Sequence, residues 1–206
     1  MQVDFGQQRI TVGVASLPYP GEAVSGDSWH IAWLENGCRV ALIDGLGHGS
    51  AAAHAAAVAV AALERDPVLP AAAAVARCHE ALIGTRGAAM LVAEIDVTAR
   101  SISIAGMGNV EGRLWSNDRC QFVGTDRGIV GGPHLRTRPQ TIAIDTDWLL
   151  VLHSDGVRNR FDLTAHIESS LNAQSVARSV LAEWSRETDD ATVLVVRSAL
   201  LRIDHV

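Results

Sequence analysis

The chain has 206 residues, 48% of them hydrophobic and 19% charged, which gives one domain material for a sizeable core and excludes a disordered chain. The formal net charge of -6 argues against a nucleic-acid binder, which carries a basic face. All 17 basic residues are arginine, so a lysine Schiff base, a P-loop lysine and a kinase-type catalytic lysine are excluded.

The N-terminus, MQVDFGQQRI, lacks the basic start and long apolar stretch of a signal peptide. Ile10 to Leu17 predicts a strand, and PYPGEAVSG over Pro18 to Gly26 predicts a loop that delivers Asp27. Trp29 to Leu34 and Cys38 to Asp44 predict a hairpin around Glu35-Asn36-Gly37, which brings Asp27 and Asp44 together at its open end. Ser50 to Leu63, SAAAHAAAVAVAAL, is a strong helix former, ended by Pro67 and Pro70. A second helix is expected over Ala71 to Ile83, closed by Gly84 and Gly87. The apolar run Ala51 to Leu63 contains His54 and falls short of the ~18 residues needed to span a bilayer, so no membrane partner and a cytoplasmic residence are expected.

The period then changes. Met90 to Val97, Ser101 to Ala105, Val110 to Trp115 and Arg119 to Val123 predict an antiparallel meander. Thr125 to Pro139, with Gly128, Gly131 and Gly132, predicts a surface loop or flap, and Gly128 to Pro133 is a candidate substrate-facing segment. Thr141 to Ile144 and Trp148 to His153 resume the strands, the second ending in Ser154-Asp155-Gly156. Phe161 to Arg186 predicts a second helical block, Val193 to Val196 a final strand, and Ser198 to Val206 a further short strand. The order implies an α+β fold in which helices pack outside antiparallel sheets, with residues 1–206 forming a single domain. Cys38, Cys78 and Cys120 are odd in number and show no C-x-x-C spacing, so they are expected to be reduced core thiols. The five tryptophans are expected in the core or on sheet faces.

Four acidic positions stand at strand edges: Asp27 in SGD, Asp44 in DGLGHG, Asp155 in SDG and Asp189 in DDAT. Several hard oxygen ligands meeting in one cleft suit Mg²⁺ or Mn²⁺, whereas zinc prefers histidine or cysteine. A pair of such ions can share a bridging water, lower its pKa and clamp a phosphoryl group during in-line attack. Gly45 can add its backbone carbonyl, since no side chain shields it. A lone Asp-Gly pair is more often a turn, and Asp189-Asp190 alone reads as a solvated corner; the joint occurrence of the four motifs favours a site.

SGD at Ser25 to Asp27, DGLGHG at Asp44 to Gly49, HSDG at His153 to Gly156 and DDATVLVV at Asp189 to Val196 resemble the metal-dependent PPM, or protein phosphatase 2C-like, family. The resemblance spans the chain from the first strand to the last and is strongest to the bacterial SpoIIE and RsbU branch, and within it to stressosome phosphatases of the RsbX type. It implies a layered αββα sandwich, two antiparallel sheets flanked by helix pairs, and a serine/threonine protein phosphatase that works through a metal-activated water. It also implies two Mn²⁺ or Mg²⁺ ions held by Asp27, Asp44, Gly45, Asp155 and Asp189, with Asp190 a lesser candidate because Asp189 is the first residue of DDAT. The implied partners are phosphorylated STAS-domain proteins of the stressosome, of the RsbS and RsbR type. The alternatives are an RsbU- or SpoIIE-like phosphatase acting on a phosphorylated anti-sigma-factor antagonist, and a non-catalytic binding module with the same fold.

The chain also departs from the family pattern. Leu46 stands where eukaryotic members carry a histidine directly after Asp-Gly, which leaves His48 or a metal-held water as candidate proton sources for the leaving group. His153 reads as a packed histidine on the strand that ends at Asp155. No early arginine corresponds to the phosphate-gripping residue of eukaryotic members, and nothing marks Arg9 for that role. Arg158 and Arg160 could meet a phosphoprotein but read more simply as solvated charges.

Overall fold

Strands that are apolar on both faces need a packing layer on each side, and this chain meets that need with two sheets and outer helices. The computed structural model describes residues 1–159, 161 and 172–200. In chain order the elements are β1 (Gln2–Phe5), β2 (Gln8–Leu17), β3 (Asp27–Leu34), β4 (Gly37–Gly45), α1 (Gly49–Arg65), α2 (Ala71–Leu82), β5 (Ala88–Asp96), β6 (Ser101–Met107), β7 (Glu111–Ser116), β8 (Arg119–Val123), β9 (Gln140–Ala143), β10 (Trp148–His153), α3 (Ala173–Trp184) and β11 (Ala191–Leu200). One sheet runs β1-β2-β11-β10-β7-β8 and the other β3-β4-β5-β6-β9, with every pairing antiparallel.

The period-2 alternation of each strand sorts its residues between layers. Along β4, Val40 and Leu42 face the other sheet, where they meet a core containing Leu150, Leu152, Leu194 and Val196. Their neighbours Ala41 and Ile43 face outward onto Ala55, Ala59, Val75 and Cys78 of α1 and α2. On the far side, Leu149, Val151, Val193 and Val195 pack under Val176, Ala177 and Val180 of α3. The layering is αββα, as the family resemblance implied, and the element order was right that helices pack outside antiparallel sheets. The alanines of α1 explain its close seat on the sheet: Ala52, Ala55, Ala56 and Ala59 are all fully buried, and larger side chains would lift the helix away.

Several boundaries differ from expectation. β1 has no counterpart in the sequence reading, because its half-exposed alternation QVDF carries little apolar signal. β3 begins at Asp27 rather than Trp29, so the hairpin ladder reaches the acidic residues themselves. β11 continues unbroken to Leu200, so Ser198 to Leu200 belong to the last strand, while the rest of the short strand expected over Ser198 to Val206 lies outside the described residues. Residues 162–171 of the expected helical block, Arg160, and residues 201–206 lie outside the described residues. Cys38 and Cys78 are buried, but Cys120 is exposed on the edge strand β8 and is no core thiol. Trp148 is fully buried, whereas Trp29 is 39% exposed on β3.

The 125–139 loop is only partly a surface feature. Val130 is fully buried and pairs with Ala88, whose N–H donates to the Val130 carbonyl at 3.0 Å while the Val130 N–H returns a bond of 2.9 Å. The loop is thereby pinned to the edge of β5, filling a place in the core beneath α2. A second pin is Arg39, a fully buried residue in the middle of β4. Its guanidinium donates to the carbonyls of Leu63 (3.0 Å), Asp66 (3.2 Å) and Leu69 (3.0 Å), tying the end of α1 and the α1–α2 connection to the sheet. Among the described residues, no helix is long and apolar enough to cross a membrane.

Candidate metal centre

A two-residue turn, Glu35-Asn36, sets the register of the β3–β4 hairpin, and that register places Asp27 directly opposite Asp44. The adjoining β4–β5 ladder ends at Gly45 opposite Ala88. In the other sheet, β10 delivers Ser154 and Asp155 just past its last residue, and β11 begins just after Asp189 and Asp190. The ends of both sheets therefore open on one side of the molecule. Asp44, Asp155 and Asp189 line a common cleft of about 390 Å³ together with Leu46, Gly47, Ala89, Gly108, Asn109, Arg127, Gly128 and Ile129.

Asp27 and Asp190 lie beneath this cleft, 6% and 3% exposed. Ser154 Oγ donates to Asp27 Oδ2 at 2.7 Å and accepts the Thr192 N–H at 2.9 Å, joining the acidic ends of the two sheets. Asp190 Oδ1 accepts the Tyr19 N–H at 2.8 Å, which ties the 18–26 loop to the site. Asp155 Oδ2 accepts from Asn109 Nδ2 at 2.6 Å, and Asp189 Oδ1 accepts the Asp190 N–H at 2.9 Å. The glycines of SGD and SDG make this packing possible. A Cβ on Gly156 would strike the Asp190 carbonyl, and one on Gly26 would stand 2.7 Å from Asp190 Oδ2.

So many carboxylates in one place repel each other and lose hydration. Burial, then the neighbouring charges of Asp27, Asp155, Asp189 and Asp190, pushes the Asp44 carboxyl up to about 9. Burial likewise raises Asp27 to about 7, against the lowering effect of the Ser154 and Thr192 hydrogen bonds. Asp155 is raised by burial and by Asp189, with Arg186 and Asn109 opposing. Asp27 Oδ1 and Asp190 Oδ2 are buried without any hydrogen-bond partner. Among the described residues, no three histidine, cysteine, aspartate or glutamate side chains already form a closed ion cage. The carboxylates are held by Ser154, Asn109 and the Tyr19 amide. The donors are hard oxygens, two of them orphaned and buried, and this set fits a divalent cation such as Mg²⁺ or Mn²⁺.

Of the residues singled out in the sequence, Asp44, Asp155 and Asp189 share the cleft wall, Asp27 lies under it, and Gly45 closes β4 beside Asp44. Asp190 is more deeply placed than Asp189 and is absent from the cleft lining. His48 lies at the start of α1, with Nδ1 3.0 Å from Glu22 Oε1 and its ring stacked on Tyr19 at 4.3 Å; it does not line the cleft. His153 is buried edge-on against Phe161, with Nδ1 against its neighbour's carbonyl, so it is a packed histidine. Arg158 is exposed and does not line the cleft. Ser154, Asn109 and Arg127 went unmarked in the sequence reading. Ser154 stands inside the quoted HSDG motif, whereas Asn109 and Arg127 come from turns with no pattern of their own.

A cleft of clustered carboxylates at the shared end of two stacked antiparallel sheets, with helices outside, is the arrangement expected of the PP2C-type metal-dependent serine/threonine phosphatases that the motifs resemble, and comparison with known proteins places the chain in that class. The family model described as Stage II sporulation protein E (SpoIIE) matches residues 35–199, and the chain belongs to that family. It is similar to phosphoserine phosphatase RsbX of Bacillus subtilis (strain 168), with 23% identity over 189 residues, covering 91% of this chain and 94% of RsbX. A crystal structure of RsbX in complex with magnesium superposes with a TM-score of 0.83 at 20% identity, over 97% of this chain and 99% of that one. A structure solved in work on the bacterial stressosome as "a modular system that has been adapted to control secondary messenger signaling" has a TM-score of 0.85 at 28% identity, over 91% of this chain and 99% of that one. The catalytic domain of the serine/threonine phosphatase PstP, in complex with two manganese ions, gives 0.73 at 16% identity, over 93% and 99% of the two chains. Magnesium and manganese are thus the ions bound in two of these similar structures.

Proposed function

We propose that residues 1–206 form one catalytic domain that removes phosphate from phosphoserine or phosphothreonine of stressosome STAS-domain proteins of the RsbS and RsbR type. Asp27, Asp44, Asp155 and Asp189, with the Gly45 carbonyl, are the residues that would hold Mn²⁺ or Mg²⁺, and Asp190 supports them from beneath. The observation that carries this reading is the placement of Asp27 opposite Asp44 in the β3–β4 ladder, two crowded, desolvated carboxyls that a divalent cation would relieve in place of protons. When bound, the ions supply a hydroxide-like nucleophile and neutralise charge on the phosphoryl oxygens.

The chain's own residues do the rest. Ser154 orients Asp27, Asn109 orients Asp155, and Gly45 lets α1 seat closely behind the site, since a Cβ there would strike the Ala52 carbonyl. Among the described residues no imidazole lines the cleft, so the proton required by the departing seryl oxygen is drawn from water within it. The likeness to RsbX and to the stressosome structure supports the STAS-domain substrate and a cytoplasmic setting. Membership in the SpoIIE family favours, as a second reading, a phosphorylated anti-sigma-factor antagonist. Phosphate release from both kinds of phosphoprotein, measured side by side with Mn²⁺, separates the two. Equal indifference to both, with no divalent-metal binding by calorimetry, would leave a non-catalytic binding module.

A further inference from the structure

The sequence offers no early arginine to hold the substrate's phosphate, yet the cleft is not without cations. Arg127 lines it, facing the wall of Asp44, Asp155 and Asp189 from the loop pinned by Val130. Arg86, in the turn between α2 and β5, lies against the DGLGHG segment. Its Nη1 is 2.8 Å from where a Cβ on Gly47 would stand, and Gly47 itself lines the cleft. Both side chains are exposed, and among the described residues neither makes a hydrogen bond or ion pair. Arg9 and Arg77, by contrast, are each paired with a carboxylate, and Arg39 is spent on three carbonyls.

We propose that Arg127, assisted by Arg86, grips the phosphoryl group of the phosphoserine or phosphothreonine substrate, taking the part of the missing early arginine from two other loops. This rests on the phosphatase reading. A phosphate dianion entering a cleft walled by carboxylates needs positive charge beyond what two divalent ions leave over after meeting five aspartates. A guanidinium suits the task because its planar fork matches two phosphate oxygens at once and its charge is constant across the working pH range. The backbone favours it too. The Ala88–Val130 pairing fixes the root of the Arg127 loop, while Gly128 at φ 139° gives the segment a turn that a side chain would strain.

The test uses the full chain loaded with Mn²⁺ and a phosphoserine peptide, with inorganic phosphate as inhibitor. Arg127→Gln should raise KM and the phosphate inhibition constant about tenfold, with kcat within about threefold of wild type. Mn²⁺ affinity by calorimetry should be unchanged, and Arg86→Gln should give a smaller shift in the same direction. Arg100→Gln, at the opposite end of the β5–β6 hairpin from the cleft, should change nothing. Unchanged KM and phosphate inhibition in both variants, or an equal shift in Arg100→Gln, would overturn the proposal. If wild type releases no phosphate from any phosphoprotein, it is the phosphatase reading that fails. Calorimetric binding of inorganic phosphate to the Mn²⁺-loaded protein, lost in Arg127→Gln or retained, then still decides the role of the arginine.

Discussion

At the scale of single residues, the site is an electrostatic conflict held in place by its surroundings. Asp44 and Asp27 have carboxyls raised above their unfolded value, so the folded, metal-free protein holds protons that the unfolded chain releases. Their contribution to stability is therefore full at low pH and is lost as pH rises through about 7 and about 9. Between about pH 7 and pH 8.5 the half-buried His30 and the buried His153, whose pKa values are lowered by desolvation, are neutral in both states and do not oppose the trend. The melting temperature of metal-free protein should fall across that window, and saturating Mn²⁺ should flatten it. A metal-free melting temperature that holds steady or rises would contradict the crowding argument. Asp44→Asn should abolish activity yet stabilise the metal-free protein by ~1 kcal/mol or more at pH 8, as urea unfolding would reveal. Ser154→Ala removes the donor to Asp27 and the acceptor of the Thr192 N–H. Mn²⁺ affinity, read by calorimetry, should drop by about tenfold. An unchanged affinity would mean that Asp27 needs no orientation from Ser154.

At the scale of elements, the hairpin and the buried pins decide where the acidic residues stand. The β3–β4 pairing was legible because two apolar runs with a short turn between them leave one register, and Asp27 opposite Asp44 follows from it. The motif glycines were equally legible as tight turns. Other features had no local signal. Arg39 is a charge within an apolar strand, and only the tertiary meeting of β4 with the α1–α2 connection reveals the three carbonyls it serves. Val130 sits in a glycine-rich stretch that reads as surface, and its burial depends on a gap beneath α2 that no sequence window contains. Asp189 was ranked above Asp190 only by its place in the DDAT motif; their different surroundings, one lining the cleft and the other buried, are set by how β11 enters its sheet and have no local signal. Arg39→Met should cost about 3 kcal/mol, because it strands buried carbonyls that the guanidinium now satisfies. A urea midpoint within error of wild type would show that the α1–α2 connection is held by packing alone.

At the scale of the whole molecule, two sheets open their ends on the same side, and the outer helices bury the remaining apolar faces. The site belongs to neither sheet: Asp27 and Asp44 come from one, Asp155, Asp189 and Asp190 from the turns of the other, and Ser154 bridges them. Metal binding should accordingly stabilise the sandwich as a unit, since cations between the sheets would link them in the folded state alone. The most direct measurement of the central claim is phosphate release from a phosphoserine-bearing STAS-domain protein, with and without Mn²⁺, for wild type and Asp44→Asn. The account predicts release that requires Mn²⁺, stops on chelation and is lost in Asp44→Asn. Release that persists after chelation, or in the Asp44→Asn protein, would contradict it.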